Sequence, residues 1–79
     1  MWLLTEDGAL VNLDRTSTLE IRLWEGEAHL LAACEVGQQV VVARGTASRL
    51  ADLVRAIVRA LDEDVVAVLD VRTGKGAVA

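Results

Sequence analysis

The sequence predicts an α+β fold: an antiparallel β-meander of about five strands, one amphipathic helix packed on one face, and a possible C-terminal strand. Three observations lead there. Residues Thr18 to Glu35 alternate apolar and polar side chains around a central Glu25-Gly26. Turn dipeptides punctuate the first half at Asp7-Gly8, Glu25-Gly26 and Val36-Gly37. After Gly45 the apolar spacing changes from two residues to a helical three-and-four.

The ribbon fixes its own register. With Glu25-Gly26 as a two-residue turn, Trp24 opposes Glu27, Leu23 opposes Ala28, Arg22 opposes His29, Ile21 opposes Leu30, Glu20 opposes Leu31 and Leu19 opposes Ala32. Opposed residues share a face. One face then collects Leu19, Ile21, Leu23, Ala28, Leu30, Ala32 and Cys34, and expects a helix over it. The other collects Glu20, Arg22, Trp24, Glu27, His29, Leu31, Ala33 and Glu35. A slip of one residue would mix the two sets, so this register is strongly specified.

Before the ribbon, Trp2 to Thr5 and Ala9 to Leu13 form a short hairpin about Glu6-Asp7-Gly8, and Asp14 to Ser17 connects onward. After it, Gln38 to Arg44 is a fifth strand and Gly45 breaks it. Thr46 offers an N-cap oxygen, with Ser48 competing. Leu50, Leu53, Val54, Ile57, Val58 and Leu61 then trace the stripe of a helix about four turns long. Asp62-Glu63-Asp64 interrupts, and Val65 to Arg72 either continues the helix or forms a sixth strand. β-Branching and the acidic break favour the strand. Residues 1–72 are expected to be a single α+β domain, and 73–79 a flexible tail.

Composition narrows the function classes. The chain has 79 residues, of which 53% are hydrophobic, with two tryptophans and no proline. So much apolar surface is hard to hide in one small domain, which points to self-association. Net charge is −4 and no basic cluster exists, so a nucleic-acid partner is not expected. No stretch reaches the ~20 apolar residues of a membrane span. The N-terminus meets Glu6 and Asp7 at once, unlike a signal peptide. Cys34 is the only cysteine, which fits a reducing, cytoplasmic compartment. Seven arginines against the single Lys75, with abundant Ala and Val, suggest GC-rich bacterial coding.

Candidate chemistry is sparse. A Cys–His nucleophile pair would have to use Cys34 and His29, which an odd separation puts on opposite faces of one strand. One His and one Cys fall short of a metal site, and no cofactor is expected. Glu20, Arg22, Glu27, His29 and Glu35 read either as an acid–base cluster or as a solvated ladder of cross-strand charges. Thr73-Gly74-Lys75-Gly76 lacks the spacing and context of a phosphate loop. The apolar part of the second face carries more weight. If Val36-Gly37 is a two-residue turn, Val40 opposes Ala33 and Val42 opposes Leu31. Trp24, Leu31, Ala33, Val40 and Val42 then form an interface patch; a turn longer by one residue moves Val40 and Val42 to the helix side. The expected function is non-enzymatic self-association as a homo-oligomer. The alternatives are a peptide- or protein-binding adaptor with an open sheet edge, and a small enzyme using Glu20, Glu27 and His29.

Met1-Trp2-Leu3-Leu4-Thr5, Asp7-Gly8 and Leu10-Val11-Asn12-Leu13 together resemble the opening of small uncharacterised bacterial and phage proteins. In these a D-G hairpin and a β-meander precede one amphipathic helix, in a reduced pleckstrin-homology-like half-barrel. The resemblance implies strands followed by a helix, and no activity, cofactor or residue roles.

Overall fold

The protein is described by a computed structural model, covering residues 1–34 and 37–78. Its strands are β1 (Trp2–Leu4), β2 (Leu10–Asn12), β3 (Thr16–Trp24), β4 (Glu27–Cys34), β5 (Gln39–Gly45), β6 (Val66–Asp70) and β7 (Lys75–Val78). A 3₁₀ turn, Leu13–Arg15, joins β2 to β3, and helix α1 (Ala47–Glu63) joins β5 to β6. The α+β class, the meander and the packed helix are all present. The strands divide into two sheets rather than running as one meander of five: β3-β4-β5 is an antiparallel meander, and β2-β1-β6-β7 is a separate sheet.

The ribbon has the expected register, pair for pair, from Leu19↔Ala32 to Trp24↔Glu27. Glu25 and Gly26 both take positive φ, 52° and 78°. That is the turn pattern whose twist matches the flanking strands, and Gly26 adopts it without steric cost.

The second turn differs. Gln39 opposes Ala33, Val40 opposes Ala32 and Val41 opposes Leu31, so the connection is longer by one residue than a two-residue turn. Its stem is closed by Cys34 N–H donating to the Gln38 carbonyl at 2.9 Å. Val36 and Glu35 lie outside the described residues. Val40 therefore belongs to the helix side. A bulge follows, because Leu31 pairs with Val41 and Leu30 with Ala43, leaving Val42 without a cross-strand partner in β4. Val42 and Ala43 are consecutive and both fully buried, which an unbroken strand does not allow on a half-exposed sheet. The unpaired Val42 carbonyl accepts the Glu6 N–H at 3.0 Å. The bulge thus turns β5 away from pure ladder pairing and lets it bond the β1–β2 loop.

β1 and β2 form the hairpin expected around Asp7-Gly8. Thr5 is fully buried, and its hydroxyl accepts the Ala9 N–H at 3.0 Å, so the loop closes on a satisfied polar group. β1 also pairs with β6, in parallel, through Leu3↔Leu69. Val65–Arg72 contributes strand β6, the alternative that β-branching favoured; Asp64 ends the helix in a left-handed conformation, φ 54°. The segment expected as a tail is a further strand, since β7 pairs with β6 from Asp70↔Lys75 to Val66↔Val78.

Helix α1 starts at the expected cap: Thr46 Oγ1 accepts the Arg49 N–H at 3.1 Å. The helix packs on both sheets, against β3, β4, β5 and β6. Leu50, Leu53, Ile57 and Ala60 are its buried residues, and they meet Leu3, Val11, Leu30, Ala32, Val42 and Leu69 in one shared core. Val54 is half-buried, whereas Val58 and Leu61 are exposed, so the expected stripe is covered along only one of its flanks.

Candidate functional site

β4 is the central strand of the meander and decides what each face holds. Ala28, Leu30 and Ala32 point into the core under α1, while His29, Leu31 and Ala33 alternate with them, half-buried on the opposite face. Opposed partners on that second face are Arg22 and Arg44 at His29, Glu20 and Val41 at Leu31, and Thr18 and Gln39 at Ala33. The result is an open groove of about 540 Å³ lined by Arg22, Trp24, Glu27, His29, Leu31, Val41 and Arg44.

The expected interface patch is thus corrected in two of its five members. Trp24, Leu31 and Ala33 share the second face. Val40 sits opposite Ala32 on the helix side and Val42 is buried in the core. Val41 takes their place, because the longer turn shifts β5 by one residue before the bulge.

The polar residues of the groove are engaged by one another or by carboxylates beside it. The Trp24 and His29 rings tilt at 48° to one another with centroids 6.0 Å apart, within aromatic contact range. His29 Nε2 lies 3.5 Å from Glu27 Oε1. Arg22 donates to Glu20 within β3. Arg44 faces Asp7 at 3.9 Å, and its backbone N–H donates to Glu6 Oε1 at 2.9 Å. Glu6 also accepts from Arg49 Nη2 at 3.0 Å. Burial alone would raise the Glu6 pKa, but the Arg44 N–H, the Arg49 guanidinium and both positive charges outweigh it and hold the carboxyl below its ordinary value. His29 and Cys34 stand five residues apart along β4. Among the described residues no group of three or more His, Cys, Asp or Glu side chains is placed to hold a metal ion. None of the described helices is long and apolar enough to cross a membrane.

The other unfinished surface lies beside β3. Its first-face side chains were expected beneath the helix, yet only Leu19 packs against the core. Ile21 is 39% exposed and Leu23 72%, and on the other face Trp24 is 65% exposed. The helix touches all three strands but meets β3 only at its Leu19 end, which leaves the tip of β3 open. Leu61 lines a shallow groove with Leu13, Thr16, Thr18 and Leu19, which places the uncovered flank of α1 on the β3 side. Sequence reasoning grouped Ile21 and Leu23 with the core because alternation reports which face a residue is on, not how far a covering helix reaches.

Comparison with known proteins finds no matching family model, no similar curated protein and no similar solved structure, so the resemblance of the N-terminal hairpin rests on its own motif.

Proposed function

We propose that this chain is a non-enzymatic self-association module that works as a homo-oligomer, through sheet edges and the Trp24 end of the ribbon. One observation carries the reading: Ile21 and Leu23 on one face and Trp24 on the other stand exposed at the tip of an edge strand of nine residues. Proteins ordinarily shorten, cover or charge such an edge. The other edges here follow that rule. β2 and β7 have three and four residues, and the outer side of β5 is bonded by Glu6. A reducing cytoplasm goes with the lone, half-buried Cys34.

The same open edge supports a second reading, an adaptor that takes an extended peptide as an added strand. Solution mass separates the two. Self-association predicts a mass that rises with concentration and falls to the monomer in Leu23→Glu and Trp24→Glu. A wild-type chain that stays monomeric at every concentration contradicts it. The acid–base reading of Glu20, Glu27 and His29 has less support, because Glu20 is engaged by Arg22 and the groove stands open to solvent.

A further inference from the structure

Resting on that reading of self-association, we infer that two copies of the chain join edge to edge through β3, antiparallel and in one register, with Ile21 opposite its own counterpart on the twofold axis. The meanders of the two copies then form one continuous six-stranded sheet.

Backbone chemistry limits the choices first. Trp24 and Glu27 flank a two-residue turn and form a hydrogen-bonded pair, so the even-numbered residues from Glu20 to Trp24 of β3 direct their N–H and C=O groups at β4. Leu19, Ile21 and Leu23 therefore direct theirs outward. An added strand must bond these three, and a second copy presents the same three. Registers that oppose odd with even residues would mismatch the backbone groups and set Glu20 against Ile21, polar against apolar.

Charge then selects one of the remaining registers. Centred on Ile21, the pairing sets Glu20 against Arg22 of the partner subunit, and Arg22 against the partner's Glu20. Leu19 meets Leu23 of the partner subunit on the apolar face, and Trp24 lies over the partner's Thr18. A shift centred on Glu20 opposes two glutamates, one centred on Arg22 opposes two arginines, and those centred on Leu19 or Leu23 form no Glu–Arg pair across the seam. Like charges directly opposite destabilise a strand pair, and unlike charges stabilise it. The Glu20–Arg22 pair already present within each β3 becomes half of a four-charge ladder.

The twofold axis of this pairing runs perpendicular to the sheet, so both helices lie on the same side of it. Leu61, 46% exposed beside β3, and Val58, 52% exposed and about one helical turn before it, then face the seam from both copies. A single arrangement thus covers the open tip of β3 and the bare flank of the helix.

Charge exchange tests the register directly. Glu20→Arg and Arg22→Glu, each alone, place two like-charged pairs at the seam and weaken homodimerisation by about tenfold or more. Mixing the two variants restores a dimer, because every opposed pair is again Arg against Glu. In a Cys34→Ala background, Ile21→Cys cross-links two copies on oxidation. Leu23→Cys does not, since the two cysteines would lie roughly 13 Å apart along the strands. The cross-linking arm decides the matter if either charge variant fails to fold. Cross-linking at 23 but not 21, or a wild-type dimer whose charge variants show no rescue on mixing, overturns this register while leaving self-association standing. A wild-type chain that stays monomeric overturns both.

Discussion

Glu6 joins the two sheets at one carboxylate. Its backbone N–H reaches the unpaired Val42 carbonyl, and its side chain holds both the Arg44 N–H and the Arg49 guanidinium. Sequence showed Glu6 only as part of a turn, since its partners lie 38 and 43 residues away and no local pattern announces them. The folded carboxyl has a lowered pKa, so its contribution is full above the ordinary glutamate value of about 4.3 and is lost as pH falls through the folded value. Glu6→Gln should cost on the order of 1 kcal/mol at pH 7. The gap between variant and wild type should close in acid, as urea unfolding measured across pH will show. A gap that widens in acid would contradict the assignment. Gly76 is a second residue that sequence read as mere tail. A Cβ there would lie 2.7 Å from Val66 Cγ1, a side chain stiff about χ1. Gly76→Ala should destabilise by about 1–3 kcal/mol, and Val66→Ala in the same chain should recover much of the loss.

Among the elements, the ribbon was legible because alternation and a two-residue turn fix each other. Every pair from Leu19 to Trp24 stands where counting outward placed it. β5 was not legible to the same depth, because one extra turn residue and a bulge each change its parity. The bulge buries two consecutive apolar side chains and leaves a carbonyl for a distant loop, neither of which alternation announces. The helix was legible in start, period and length. How far it reaches across the sheet was not, since that depends on where two sheets place it. Its residues should therefore respond unequally. Ile57→Asp buries an unpaired charge in the shared core and should unfold the chain. Val58→Asp, one residue on, should leave far-UV circular dichroism nearly unchanged, and the unfolding midpoint too where the wild type is dilute enough to be monomeric. Thr46→Ala should cost about 1 kcal/mol in thermal unfolding through loss of the cap.

At the scale of the whole molecule, thirteen buried apolar side chains among the described residues, drawn from both sheets and the helix, make one core. That is a small core for a chain with 53% hydrophobic residues. The accessible surface is 5058 Å², several per cent above the ~4,700 Å² that mass scaling gives for a chain of this size. Ile21 and Leu23 on β3 and Val58 and Leu61 on α1 are exposed, and β6 and β7 build the second sheet rather than return over them. Composition foretold the surplus; only the division into two sheets shows where it falls. Sedimentation equilibrium of the wild-type chain over a wide concentration range tests the central claim most directly. Self-association predicts a reversible shift from 8.5 kDa toward twice that mass, with Val58→Asp and Leu23→Glu shifted back toward monomer. A mass of 8.5 kDa at every concentration would contradict it.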